Sequence, residues 1–209
     1  MLRDEVQTKL NRYFTEKLKM YGPTAKGVDY NSTEAQDKRF EQLVKVIDPS
    51  SYFTVTDYGS GVGALFDFIN KKGWSFEYYG LDLIEEMVIA GKEIHKTYSN
   101  CHFIGSENDL IVTDYVLAGS IFNIRMDASE DEWVQMITNT LCRINTLCLK
   151  GFSFNMLTEY SDKDKMRPDL FYGNPSFFFD FCKRNFSRNV ALLHDYELYD
   201  FTIIVRKNR

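Results

Sequence analysis

The sequence predicts an α/β protein, a doubly wound three-layer α/β/α arrangement with helices on both faces of a mostly parallel sheet. Two observations carry that prediction. From Tyr52 onward, short runs rich in β-branched and aromatic residues alternate with segments whose apolar residues recur every three or four positions. Such alternation builds a parallel sheet joined by crossover helices. The chain then ends on two strand-like runs in succession, residues 190–194 and 200–205, so one strand near an edge must run antiparallel.

At 209 residues the chain has the size of one domain with a sizeable core. The expected layout is a single domain over 1–209, with a helical cap or lid over 1–50 and the α/β core over 51–209. Residues 2–20 carry Val6, Leu10, Tyr13, Phe14 and Leu18 at helical spacing, and Gly22-Pro23 ends that helix. A loop over 24–31 follows. Asn31 or Ser32 then caps a second helix with the stripe Phe40, Leu43, Val44 and Ile47, closed by Asp48-Pro49-Ser50.

The first strand begins at Tyr52 and runs into Gly59-Ser60-Gly61-Val62-Gly63, after which a helix continues to Lys71-Lys72-Gly73. Residues 76–81 form a second strand that stops at Asp82. Leu83, Met87, Ala90 and Ile94 form the inner stripe of the next helix. Cys101-His102-Phe103-Ile104 is the third strand and residues 114–118 the fourth. Ser129 caps a long helix with Trp133, Ile137, Leu141, Ile144 and Cys148 inward. Residues 151–157 make the fifth strand, 158–174 a polar loop, and Pro175 opens a helix reaching Phe186.

Composition narrows the function. Hydrophobic residues make up 44% and charged residues 26%, ordinary values for a globular protein, while aromatics reach 15%. The net charge of −5 argues against a nucleic-acid partner, which needs a basic face. Cys101, Cys142, Cys148 and Cys182 are scattered without a Cys-x-x-Cys pair, so they read as reduced core thiols and no metal site is expected. The N-terminus is charged with no signal-type run behind it, and no apolar stretch reaches the ~18 residues that span a bilayer. Expected are no membrane partner and a cytoplasmic location.

The stretch around the glycines carries the chemistry. A strand, a tight turn and a helix start let backbone approach a nucleotide closely, with unpaired N–H groups at the helix N-terminus. Gly59, Gly61 and Ala64 satisfy G-x-G-x-x-G/A, and Asp82 lies about twenty residues on, where a ribose carboxylate belongs. That pattern alone suits an NAD(P)-dependent oxidoreductase. Gly63, however, makes the turn G-x-G-x-G, and Asp57 stands two residues before Gly59. A carboxylate there repels a pyrophosphate and suits a ligand with a cationic end.

With those residues in place, the stretch from about Tyr52 to Arg206 resembles the class I S-adenosylmethionine-dependent methyltransferases, whose core is Rossmann-like. Asp57-Tyr58-Gly59-Ser60-Gly61-Val62-Gly63 is similar to the family's first motif. The resemblance implies that Asp82 takes both ribose hydroxyls and that Met87, with Leu83 nearby, packs the adenine. It implies a seven-stranded sheet of order 3-2-1-4-5-7-6 with strand 7 antiparallel. S-adenosylmethionine is then the cofactor and S-adenosylhomocysteine the product. The stretch Gly105-Ser106-Glu107-Asn108-Asp109 follows strand three, where the family contacts the adenine amino group; Ser106 and Glu107 are the candidates, with Ala118 at the end of strand four. In place of an Asn/Asp-Pro-Pro-Tyr signature stands Ala118-Gly119-Ser120-Ile121-Phe122-Asn123, which weakens a reading as a DNA N-methyltransferase.

The acceptor is less legible. Arg39 is either a solvated surface residue or a ligand for a carboxylate, such as that of the cofactor. Tyr30 on the 24–31 loop, Asn123, Asn155 and Tyr172 are candidates for binding the acceptor, and His194 or Tyr160 for a base. Their mix of amides, phenols and one imidazole suits a small polar acceptor, and O-methylation of a metabolite or sugar-type molecule is the expectation. A non-catalytic S-adenosylmethionine-binding protein and a protein or RNA methyltransferase are the alternatives. Nothing in the sequence sets the oligomeric state.

Overall fold

The computed structural model describes residues 4–207; the helix start expected at residue 2 lies outside the described residues. Helix α1 (Asp4–Tyr21) ends as Gly22 turns into the left-handed region, and a 3-10 turn (Ala25–Val28) occupies what was expected to be plain loop. Helix α2 (Thr33–Leu43) is capped by Ser32, whose hydroxyl accepts from the Ala35 amide. Its stripe runs on through a 3-10 turn (Val44–Val46), so Phe40, Leu43, Val44 and Ile47 are all buried although the helix stops at Leu43.

Strands and helices then alternate: β1 (Phe53–Tyr58), α3 (Ala64–Lys71), β2 (Phe76–Leu81), α4 (Glu85–Ile94), β3 (Cys101–Ile104), β4 (Thr113–Ala118), α5 (Glu130–Leu147), β5 (Cys148–Leu157), α6 (Pro175–Asn185), β6 (Asn189–Leu193) and β7 (Asp200–Arg206). They form one sheet in the order β3-β2-β1-β4-β5-β7-β6. Strand β7 runs antiparallel to both β5 and β6, and the other pairings are parallel. The carboxyl ends of β1, β2 and β4 therefore meet at one edge, where ligands of open α/β sheets bind.

Each face of the sheet buries its own apolar layer. Leu43, Val55, Phe66, Ile69, Tyr78 and Leu117 pack on the side of α2, α3 and α4. Val116, Trp133, Ile137, Phe152, Phe154 and Phe178 pack on the side of α5 and α6, joined there by Val6 of α1. Unbroken burial over residues 115–118 of β4 and 151–156 of β5 is what a strand covered on both faces requires.

Three inward assignments change. Leu83 (49% exposed), just before α4, and Ile94 at its end are exposed, whereas Met87 is buried as expected, together with Val88 and Gly91. The reason is close packing: a Cβ on Gly91 would sit 2.4 Å from the Phe103 ring, so β3 approaches along the Gly91 side. Cys142 is exposed on α5, whereas Cys148 and Cys182 are buried; all four cysteines are free thiols. No helix among the described residues is long and apolar enough to cross a membrane.

Candidate active site

The glycine turn joins β1 to α3 with three left-handed residues, Gly59 (φ 84°), Gly61 (φ 53°) and Gly63 (φ 95°). A side chain at Gly59 or Gly61 would also meet a neighbour. The added Cβ would lie 2.3 Å from Cγ2 of Ile121 and 2.9 Å from Cγ1 of Val28, respectively. The loop after β4 and the 3-10 turn after α1 thus close over backbone that only glycine leaves open. Gly63 faces the other way, against Phe103 and His95, and serves packing at the start of α3.

Two carboxylates flank the turn. Asp82 accepts from the amide of Gly61 (2.8 Å) and, through its other oxygen, from the amide of Ile84 (3.0 Å). Burial raises its pKa, and those backbone donors oppose the rise. Asp57 is only 4% exposed and accepts from the Tyr78 hydroxyl at 2.7 Å. Burial pushes its carboxyl up to about 7; the Tyr78 hydroxyl pulls downward and the nearby Asp82 charge adds to the rise.

Around the turn lies a cavity of about 760 Å³. Its floor holds Asp57, Tyr58, Gly59, Gly61 and Asp82, and Leu83, Met87 and Glu107 extend it past the end of β2. Tyr58 donates a short hydrogen bond to Glu107. The roof comes from the N-terminal segment: Gln7, Leu10, Asn11 and Phe14 of α1, then Val28 and Tyr30. Helix α2 adds Gln36 and Phe40, the loop after β4 adds Ser120 and Ile121, and α5 adds Met136, Thr140 and Arg143. Burial pushes the Tyr30 phenol up to about 12, outweighing a hydrogen bond with Ser120.

No family model matches the chain. A protein of Mycobacterium tuberculosis (strain ATCC 25618 / H37Rv), "Putative methyltransferase Rv1506c", is 43% identical over 164 residues, which are 78% of this chain and 99% of that protein. The chain belongs to the class I S-adenosylmethionine-dependent methyltransferases. Solved structures agree on the fold. The DhpI-SAM-HEP complex superposes with a TM-score of 0.66 at 14% identity, over 99% of this chain and 100% of the other. Human N-acetylserotonin methyltransferase in complex with SAM superposes with a TM-score of 0.65 at 16% identity; all of this chain is covered, but only 61% of the human one. The choice between methyl transfer and a nicotinamide oxidoreductase falls to the former.

Not every expected residue of this methyltransferase reaches the cavity. Ser106 lies beside it, capping a 3-10 turn by accepting from the Asn108 amide, and Ala118 is wholly buried at the end of β4, one residue short of the wall. Arg39 is not a solvated surface residue, and the carboxylate it holds belongs to the protein itself. It forms an ion pair with Asp200 of β7, whose side chain is 0% exposed, and its guanidinium stacks 5.3 Å from the centre of the Tyr30 ring. Asn155 bonds Ser120 (2.8 Å from the Ser120 amide to its Oδ1) and lies 3.4 Å from Asp200. Arg39, Asp200 and Asn155 thus brace Tyr30 and Ser120 from behind.

The remaining assignments sit farther off. Asn123 accepts from the Leu157 amide at 3.0 Å and ties the loop after β4 to the end of β5. Tyr172 accepts from the Arg167 amide and lines a separate, smaller groove with Arg125. His194 and Tyr160 are exposed and face each other at 5.9 Å, outside the cavity wall. Strand β6, which His194 follows, is four strand spacings from β1, roughly 19 Å at ~4.8 Å each. Being at the correct end of a strand is not enough when the strand is at the edge.

Gln7, Asn11 and Gln36 were not expected in the site. A signal existed for each. Gln7, Asn11 and Phe14 share one face of α1, and Gln36 lies one turn before Phe40 on the buried stripe of α2. A polar residue at an inward position marks either a hydrogen bond or a cavity.

Proposed function

We propose that the chain transfers a methyl group from S-adenosylmethionine to an oxygen of a small polar acceptor. The observation that carries the reading is a single cavity with carboxylates on its floor and amides, a phenol and apolar rings in its roof. Its volume falls within the ~300–1,000 Å³ of small-molecule sites, enough for a nucleoside-sized cofactor and a modest acceptor. Arg39, His194 and Tyr160 drop out of this reading as direct ligands or bases, for the reasons of placement given above.

The wall residues fit the cofactor. A carboxylate offers about four lone-pair sites, and Asp82 spends two on backbone amides, which leaves acceptors for both ribose hydroxyls. Leu83 and Met87 supply apolar surface for the adenine, and Glu107 lies at its edge. Asp57 suits a cationic amino group. The bound cofactor would supply a methyl already activated on a sulfonium.

What remains for the protein is to hold the acceptor about 3 Å from that methyl and to keep water out. Helix α1 and the 3-10 turn cover the site, and Tyr30, held protonated by burial, offers a hydroxyl to orient a polar acceptor. The four free cysteines support a reducing, cytoplasmic setting.

The test is thermal stabilisation by S-adenosylmethionine and S-adenosylhomocysteine against NAD, followed by methyl-label transfer into panels of hydroxylated small molecules, proteins and RNA. A selective ligand at one hundred times its Kd adds ~2.7 kcal/mol. No stabilisation by either sulfur compound sinks the cofactor assignment, and label entering only macromolecules overturns the small acceptor.

A further inference from the structure

We propose that the Gln36 carboxamide holds the amino-acid end of the methyl donor and makes this site selective for the full donor over truncated nucleoside thioethers. The inference rests on reading the cavity as the donor site. Gln36 is 5% exposed and lines the same cavity as Asp57 and Tyr30. Its backbone amide is bonded within α2, but among the described residues its side chain has no hydrogen-bond partner. Its carboxamide atoms are not among the fully buried unpartnered ones and so open to the cavity, where a ligand can take the place of water on them.

The chemistry of the ligand's end says what it completes. An amino-acid group carries an ammonium and a carboxylate. Asp57 answers the ammonium, but Asp37 and Asp67 also border the cavity and add nothing that attracts a carboxylate. The obvious cation of α2, Arg39, is committed to Asp200 and to the Ala35 carbonyl. Lys71 and Arg143 touch the cavity from exposed positions. Gln36 is a buried donor with no bond among the described residues, unlike Ser60 and Trp133, whose donors go to backbone carbonyls. A carboxamide both donates and accepts, so it can serve either half of a zwitterion.

The experiment is calorimetric titration of the full chain with S-adenosylhomocysteine and with 5′-methylthioadenosine, which lacks the amino-acid end. Gln36→Met keeps the length and removes the amide. The expected loss is about 30-fold for S-adenosylhomocysteine, the scale of a hydrogen bond to a charged group, with methylthioadenosine affinity unchanged. Gln36→Asn gives an intermediate loss and covers the case in which the Met variant does not fold. Equal losses for both ligands would mean a merely structural role, and no loss for either would equally overturn the inference while leaving the cavity assignment intact. Wild-type protein that binds neither ligand overturns both.

Discussion

The amide of Gly61 donates to the carboxylate of Asp82 at 2.8 Å, pinning the middle of the β1–α3 turn to the residue that ends β2. Since the Ile84 amide holds the other oxygen, the carboxylate is oriented before any ligand arrives. Preorganisation of this kind lowers the ordering cost of binding.

Asp82→Asn should therefore weaken S-adenosylhomocysteine binding by about 2 kcal/mol, the loss of one charged hydrogen-bond acceptor. One oxygen remains for the Gly61 amide, so the fold should persist. Calorimetry on the variant checks this. Unchanged affinity would remove Asp82 as a ribose ligand.

Asp57 makes stability and binding depend on pH. Its folded pKa of about 7 lies above the unfolded value of about 3.9. Between those values the folded state keeps a proton that the unfolded state has lost, so this group's contribution to stability falls as pH rises from about 4 to about 7. Denaturant titrations at pH 5, 6, 7 and 8 should show a shallower decline for Asp57→Asn than for wild type. A cationic ligand end favours the carboxylate, so binding near pH 7 should release a proton. Calorimetry in buffers of differing ionisation enthalpy reads that release, and its absence would sever Asp57 from the ammonium.

Removing one partner of the Arg39–Asp200 pair leaves a charge largely out of water. Asp200→Asn should cost about 3 kcal/mol of stability, at the lower end for a broken buried pair. Arg39→Met should likewise destabilise, while weakening the donor less than Gln36→Met does. A fully stable Arg39→Met variant with hundredfold weaker donor binding would restore Arg39 as a carboxylate ligand.

His194→Ala should leave methyl transfer intact across pH, because the imidazole is exposed against Tyr160 and absent from the cavity wall. A lost alkaline or acid limb in the rate profile of this variant would return His194 to the chemistry.

Much of the fold was legible because it is written in local spacing. Residues 76–81 and 101–104 matched β2 and β3 without adjustment, and Ser32, Ser129 and Pro175 marked helix starts. The glycine turn was legible for the same reason: Asp57, the glycines and Asp82 lie within one strand–turn–helix–strand unit. Arg39 was not, since its partner Asp200 is 161 positions away. Leu83 misled because helical spacing alone does not reveal that Gly91 and Phe103 set which way α4 turns.

By itself the sequence determined the alternation of strands and helices, the glycine turn with its two carboxylates, and hence the methyltransferase family. Tertiary structure decided which polar groups line the cavity around that turn. It seated α1 over the turn, left the Gln36 amide facing a cavity, buried Arg39 against Asp200 and carried His194 to the sheet edge. Periodicity states whether a side chain points inward. Whether inward means a packed core, an ion pair or open space depends on chain brought in from far away, and no local pattern records that.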